Sequence, residues 1–196
     1  MIEEVLFFSN NKKKIIEISS LFSNVSTKVL NLNNFDKIKS PEEVGKTFEE
    51  NAKIKALCGF DFFKKKCFAD DSGICIQAMG NGPGVLSKNF LNKGDSLTQN
   101  LEEILLITKN NNNFNAYFQT SICLVLDEHN HVFFKGKIKG KISQKIQGIN
   151  GFGYDPIFIP EGEEKTFAKM SLKEKNSISH RSIAIEKLKL YLINLI

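Results

Sequence analysis

The chain has 196 residues and a formal net charge of +5, with 41% of residues hydrophobic and 25% charged. That is enough apolar material for one globular domain, or for two lobes of one, and it excludes a disordered tail or a fibre. No apolar run approaches the ~18 residues that a membrane span needs. The opening MIEEVLFFSNNKKK puts acids ahead of an apolar patch too short for a secretory signal, so the sequence predicts a soluble, cytoplasmic protein with no membrane partner.

EEVLFFS (3–9) reads as a short buried strand; polar NNKKK follows, and IIEISSLF has helical spacing through Ile15, Ile18 and Phe22. Strand, loop and helix in that order are the usual opening of an α/β sheet. STKVLNL (26–32) predicts a second strand, and the polar stretch 33–46, with Pro41 and Gly45, a loop. Thr47 with Glu50 three positions on makes a capping box for the helix TFEENAKIKALCGF, whose buried side would run through Phe48, Ala52 or Ile54, and Ala56.

Beyond CFADDSGICI (67–76), the glycines of AMGNGPGV predict a turn and then a short helix. SLTQNLEEILLITK (96–109) predicts a helix capped by Ser96, with Leu97, Leu101, Ile104, Leu105 and Thr108 on one side, and NNNN (110–113) a loop. Two alternating strands follow. In 116–126, Ala116, Phe118, Thr120, Ile122, Leu124 and Leu126 share a face; in 132–142, Val132, Phe134, Ile138 and Ile142 oppose Lys135, Lys137, Lys139 and Lys141. The turn DEHNH between them predicts an antiparallel hairpin, hence a mixed sheet. GFGYDPIFIP (151–160) reads as a glycine-rich entry into an apolar strand, and SISHRSIAIEKLKLYLINLI as one terminal helix capped by Ser177 or Ser179.

Cys58, Cys67, Cys75 and Cys123 form no CxxC pair and have no histidine at metal spacing. Reduced thiols behaving as small hydrophobes are the expectation, and a zinc site is not. Of the 27 basic residues all but Arg181 are lysine. A lone arginine points to a place that needs its planar, multi-donor fork.

Two adjacent acids in an apolar run, Asp70 and Asp71, are costly to bury without cations. In a strand they face opposite ways, so both can enter one site only if the strand ends there, as Gly73 would allow by an end or a bulge. A carboxylate in such a place suits a hard cation such as Mg²⁺, which takes one or two carboxylates together with waters and phosphates. Ser9, Asn10, Asn11, Lys12, Lys13 and Lys14 stand where the first strand feeds a helix, a natural phosphate cradle although the P-loop pattern is absent. Glu42 and Glu43 in a loop, with Asn51, Lys53 and Lys55 on the next helix, say little alone. GFGYDP offers glycines for close backbone approach, an aromatic pair to stack on a ring, and Asp155. Lys175 precedes His180 and Arg181 at a helix amino terminus, where cations oppose the macrodipole; an acceptor-rich ligand explains them better than the fold does. Together these parts describe a magnesium–nucleotide site.

SNNKKKIIEI, EEVGKTFEENAKIKA, ADDSGICIQAMGNGPGVLS, GFGYDPIFIP and EKNSISHRSIAI occur in order across nearly the whole chain and resemble the signature segments of the Ham1/inosine triphosphate pyrophosphatase family. The resemblance implies one domain over 1–196, a two-lobed α/β fold with a long central mixed sheet flanked by helices, and an active site in the cleft between the lobes. It implies hydrolysis of the non-canonical purine nucleotides ITP, dITP and XTP to monophosphate and pyrophosphate, Mg²⁺ dependence and a homodimer. By position, Glu42 and Asp71 match the metal-associated acids, and Asp71 the proton acceptor. Ser9 to Lys14, Lys55, Ser72, Phe152, Gly153, Tyr154, Asp155, Lys175, His180 and Arg181 match substrate-contacting positions. Asp70 would support from beside Asp71, orienting lysines or backbone. The chain departs from the family where SNN stands for TGN, and where Leu86, Ser87, Lys88 and Asn89 replace a YSAR-like segment.

Inosine and xanthine carry an acceptor at the 6-position where adenine carries an amino donor, so Arg181, and His180 through an N–H, are expected to read it. Two rival readings remain: a nucleic-acid-binding module using the Lys135–Lys141 face, and a nucleotide pyrophosphatase with a different base preference.

Overall fold

Alternation in the first strand places it in two cores at once: Val5 and Phe7 point into one apolar cluster, Leu6 and Phe8 into another. The structure, a computed structural model, describes residues 2–32, 35, 38–94 and 96–194; part of the predicted loop 33–46 and the last two residues of the predicted terminal helix lie outside them. The strands are β1 (Glu4–Phe7), β2 (Lys28–Asn31), β3 (Cys67–Ile76), β4 (Gly82–Pro83), β5 (Asn115–Val125), β6 (His131–Ile142) and β7 (Phe158–Pro160). The helices are α1 (Lys12–Leu21), α2 (Phe48–Phe63), α3 (Ser87–Leu91), α4 (Leu97–Asn110), α5 (Leu172–Ile178) and α6 (His180–Asn194).

The strands hydrogen-bond in the order β2-β1-β3-β5-β6-β7, with β4 on β3. β1 pairs parallel with β2 and β3, while β3/β4 and β6/β7 are antiparallel. The sheet is therefore mixed, as expected. The chain forms two compact units: unit 1 is 1–71, 120–136 and 181–196, and unit 2 is 72–119 and 137–180.

Unit 1 covers both faces of its strands. On one face Phe7, Phe68, Ile122 and Leu124 pack with Ile15 and Ile18 of α1 and Ala184, Ile185 and Leu188 of α6. On the other, Leu6, Cys67, Ala69 and Cys123 pack with Ala52 and Ala56 of α2. This explains why β3 reads as a continuous apolar run rather than an alternating one. In unit 2, Ile74, Ile76, Phe118, Tyr154 and Phe158 pack with Leu101 and Ile104 of α4.

Helix starts follow their caps. The Thr47/Glu50 capping box opens α2, and Ser96 Oγ accepts from the Gln99 N–H at the start of α4. The terminal helix starts at His180, directly after Ser179, one of its two expected caps, and a short helix not expected from the sequence precedes it. A capping box at Ser171 and Glu174 starts α5, and Ser179, extended at φ −69° and ψ 156°, separates it from α6. The apolar strand expected over 151–160 shrinks to β7, because Asp155–Ile157 forms a 3₁₀ turn. β3 does not end at Gly73 but runs on to Ile76. No described helix is long and apolar enough to cross a membrane, and all four cysteines are free thiols.

Candidate active site

In β3 the parity of the strand decides the fate of the two acids. Asp70 shares the parity of Phe68, which packs toward α1 and α6; Asp71 shares that of Ala69, which packs toward α2. Both are buried, at 2% and 5% exposure, so each must find cations on its own face.

Asp70 finds two. Its Oδ2 lies 2.9 Å from Lys14 Nζ and accepts from Arg181 Nε and Nη2, each at 3.3 Å, and from Thr120 Oγ1 at 3.4 Å. The third guanidinium nitrogen, Nη1, donates to Glu17 Oε2 of α1. The quartet Glu17, Arg181, Asp70 and Lys14 is thus electrically neutral, two cations against two carboxylates. Burial works against the charge on Arg181, but Glu17 and Asp70 outweigh it and hold its pKa above the usual range. Burial pushes the Lys14 ammonium below its usual range, against the pull of Asp70.

Asp71 finds one cation and shares it. Oδ1 accepts from Lys55 Nζ at 2.8 Å and Oδ2 from Asn51 Nδ2 at 3.4 Å, while Glu43 Oε2 stands 3.4 Å from the same ammonium. Among the described contacts, one lysine here stands against two carboxylates. Burial holds the Asp71 carboxyl above the usual range, opposed by Lys55 and Lys14. Burial would lower Lys55, but Asp71, Asp70 and Glu43 together raise it.

Asn51 also fixes the approaching loop: its Oδ1 accepts from the Gly45 N–H at 2.8 Å, and a Cβ on Gly45 would stand 2.6 Å from that oxygen. A side chain there would push the loop off α2. Glu42, the expected metal acid, is exposed on this loop, one residue from the Glu43 that reaches Lys55. Among the described residues no three His, Cys, Asp or Glu side chains form a metal cluster. The donor set nonetheless suits a hard cation that brings its own waters and phosphates: carboxylate oxygen, and no thiol or imidazole.

The SNN segment is mainly local structure. Asn11 caps α1, its Oδ1 accepting from the N–H groups of Lys13 (3.0 Å) and Lys14 (3.2 Å). Ser9 Oγ accepts from the Asn11 N–H at 3.2 Å, and Asn10 Nδ2 donates to Ser40 Oγ at 2.8 Å. Lys12 and Lys13 are exposed, whereas Lys14 turns inward to Asp70.

Unit 2 gathers the other candidates. Asp155 Oδ2 lies 2.5 Å from Lys175 Nζ and accepts from the Phe152 N–H at 2.8 Å; the ammonium stands 4.9 Å from the Phe152 ring centre. Gly151, at φ +71°, is required here because a Cβ would fall 2.0 Å from Asp155 Oδ2. That glycine serves close approach within the motif itself. The aromatic pair divides too. Phe152 is half-buried, but Tyr154 is 4% exposed and donates to the Ser87 carbonyl at 2.7 Å. Burial raises the Tyr154 hydroxyl, making it an anchor rather than a stacking surface. Gly153 takes φ +61° between them, and Ser72 is half-buried at the start of unit 2's share of β3. His180 stacks on Phe118 with ring centres 4.6 Å apart at 8°.

The expectation that no fold reason places cations at the start of α6 is overturned, since Arg181 is buried on Glu17 and Asp70. Glu17 and Thr120 were not among the sequence candidates, and Glu43 was named beside Glu42 without a role of its own. For Glu17 the signal was available: a charged residue at 4% exposure, between Ile15 and Ile18 on the buried side of α1. In the departing segment, Ser87 Oγ accepts from the Ile74 N–H at 3.0 Å and donates to the Gly84 carbonyl at 2.6 Å. It holds unit 2 together, while Leu86, Lys88 and Asn89 face solvent.

The lysine face of β6 is partly committed: Lys135 pairs with Glu49, and Lys137 stands 3.5 Å from the Tyr117 ring centre. Lys137, Lys139 and Lys141 line a cavity of about 460 Å³ together with Glu161 and Glu163. A mixed-charge wall is a poor track for a phosphate backbone.

A sequence profile of the Ham1 family matches residues 5–191. A Flavobacterium johnsoniae protein named dITP/XTP pyrophosphatase is 38% identical over 185 residues, covering 94% of this chain and 95% of that one. A Leptospira interrogans protein of the same name is 40% identical over 184 residues, 92% of each. Among solved structures, a Ham1 protein from Coxiella burnetii superposes with a TM-score of 0.87 at 32% identity, covering 98% of this chain and 99% of that one. The Staphylococcus aureus Ham1 protein gives 0.82 at 34%, covering 96% and 97%.

Proposed function

The chain belongs to the Ham1 family, and from that premise we propose that it is a nucleoside-triphosphate pyrophosphatase converting ITP, dITP and XTP to monophosphate and pyrophosphate. Relatives of nearly full length carry the name dITP/XTP pyrophosphatase in several species. The observation that carries the reading is the buried pair Lys55–Asp71 at 2.8 Å, with Glu43 on the same ammonium and Lys14 on the neighbouring acid. Carboxylate for a cation and lysines for phosphate are thereby set side by side in unit 1.

Asp71, fixed through both oxygens by Lys55 and Asn51, accepts the proton of the attacking water. The water oxygen bonds to the α-phosphorus as the bond from that phosphorus to the bridging oxygen breaks, and the bridging oxygen leaves with the pyrophosphate. Lys14 and Lys55 stabilise the charge that develops on the departing pyrophosphate, and Lys12, Lys13 and the Ser9–Asn11 turn flank that end. Mg²⁺ is the cofactor in this reading, held by Asp71 and Glu42, and when bound it supplies charge neutralisation on the phosphate oxygens.

The base falls to unit 2. Phe152 offers a ring face beside Lys175, and an ammonium presents donors only. A 6-oxo group accepts from it, while the 6-amino group of adenine would confront it with a second donor. Leaving such polar groups unpaired rejects the wrong base. Gly153, Tyr154, Asp155 and His180 shape that surface, and Ser72 lies at the chain's passage to it. We assign the enzyme to the cytoplasm, as a homodimer without a stable nucleic-acid or membrane partner. A pyrophosphate-release assay over a panel of triphosphates tests the function.

A further inference from the structure

We propose that Glu17, a residue outside every expected site position, is a positioning residue that keeps Lys14 available to the triphosphate by drawing Arg181 partly off Asp70. The inference rests on the placement of Lys14 at the phosphates, made above.

One oxygen is the point of contention. Asp70 Oδ2 meets Lys14 Nζ at 2.9 Å, but Arg181 Nε and Nη2 only at 3.3 Å each. A guanidinium free to choose closes on a carboxylate through two parallel bonds of roughly 2.7–2.9 Å. Here it does not, because Nη1 is bound by Glu17 from α1. The guanidinium is divided between two carboxylates, and the shortest contact on Asp70 Oδ2 falls to the lysine.

Burial makes the division consequential. The side chains of Arg181, Glu17 and Asp70 are 3%, 5% and 1% exposed, so little water can substitute for a missing partner, whereas Lys14 keeps 15%. Lys14 is thus the member of the quartet that can reach a ligand. Without the charge of Glu17, Arg181 collapses onto Asp70 and displaces the ammonium from its place. Glu17 and Lys14 both sit on α1, one turn apart, so the helix carries the lysine and the group that regulates its anchor together.

The test is a double-mutant cycle on KM for ITP in pyrophosphate release, with Mg²⁺ present. Glu17→Gln should raise KM about tenfold or more in the native background, the size of one charge-assisted hydrogen bond. The kcat should fall as well, since Lys14 also meets the charge that develops on the departing pyrophosphate. In a Lys14→Met background the same substitution should leave KM within about twofold, because the residue it acts through is gone. Equal effects in both backgrounds, or an unchanged KM in the native one, would overturn the inference. An unchanged KM for Lys14→Met alone would instead contradict the placement of Lys14 on which it rests. If Glu17→Gln does not fold, Glu17→Met, which also removes the charge and keeps the length, is put through the same cycle with the same criteria.

Discussion

Asp70 and Asp71, neighbours in the chain, answer to different cations: Lys14 stands 2.9 Å from the first and Lys55 2.8 Å from the second. Strand parity sends one toward α1 and α6 and the other toward α2. The consequence is electrostatic. Asp70 sits in a neutral quartet and is spent on structure and on lysine placement. Asp71 sits with Glu43 around one lysine, and its carboxylate is what a cation would meet.

Asp71→Asn should therefore lower turnover of ITP by roughly 10²–10⁴-fold, the usual contribution of a positioned base, with the protein still folded. Steady-state kinetics at saturating Mg²⁺ check this. Native turnover in the variant would remove Asp71 from the chemistry.

Asp70→Asn should act on stability first. It leaves Arg181 and Lys14 with a neutral partner at a place where the carboxylate is 1% exposed. Breaking a buried pair in this way costs about 3–5 kcal/mol. Denaturant unfolding measures it, and a loss no larger than that of a surface substitution would contradict the quartet as described.

The alkaline side of the pH profile should report Lys14. Its pKa is lowered by burial, and in the proposed role it is the cationic form that would bind phosphate. Affinity is then complete at low pH and lost as pH rises through that lowered value. The log of kcat/KM, which reflects the free enzyme, should bend downward at a pH below the ordinary lysine range. Lys14→Arg should move the bend up, since a guanidinium does not titrate there. A bend unmoved by that substitution would assign it to another group.

Chelation with EDTA should abolish turnover and Mg²⁺ should restore it. Glu42→Gln should raise the Mg²⁺ concentration for half-maximal rate, whereas Glu43→Gln, removing a partner of Lys55, should act chiefly on KM for the nucleotide. A titration of rate against Mg²⁺ for the two variants separates them, and identical Mg²⁺ curves for native protein and Glu42→Gln would contradict the assignment of Glu42.

Much of this architecture was legible in the sequence. The caps at Thr47 and Ser96 and the alternation in β6 are local signals, read within a few residues, and the structure keeps them, whereas β5 alternates only to Thr120 and is buried on both faces beyond it. Parity alone separated Asp70 from Asp71. What could not be read was which cation each acid meets, because Arg181 and Glu17 are 164 residues apart and come together only through the fold. Arg181 looked ligand-directed because a cation at a helix amino terminus opposes the macrodipole, and the acids that hold it there lie far away in the chain. Ser179, one of the two expected caps, does stand just before the terminal helix; what was missed is the short α5 ahead of it, set off by the extended backbone at that serine. Tyr154 was read as a stacking ring because its hydrogen bond to Ser87 spans 67 residues.

The central claim, a buried Asp71–Lys55 centre serving purine triphosphate hydrolysis, is tested most directly by measuring pyrophosphate release from ITP, XTP, dITP, GTP and ATP, with and without Mg²⁺. Rapid release from ITP, dITP and XTP, little from ATP, and none without the metal is the expected result. Release of orthophosphate instead of pyrophosphate, or equal rates on ATP and ITP, would contradict it.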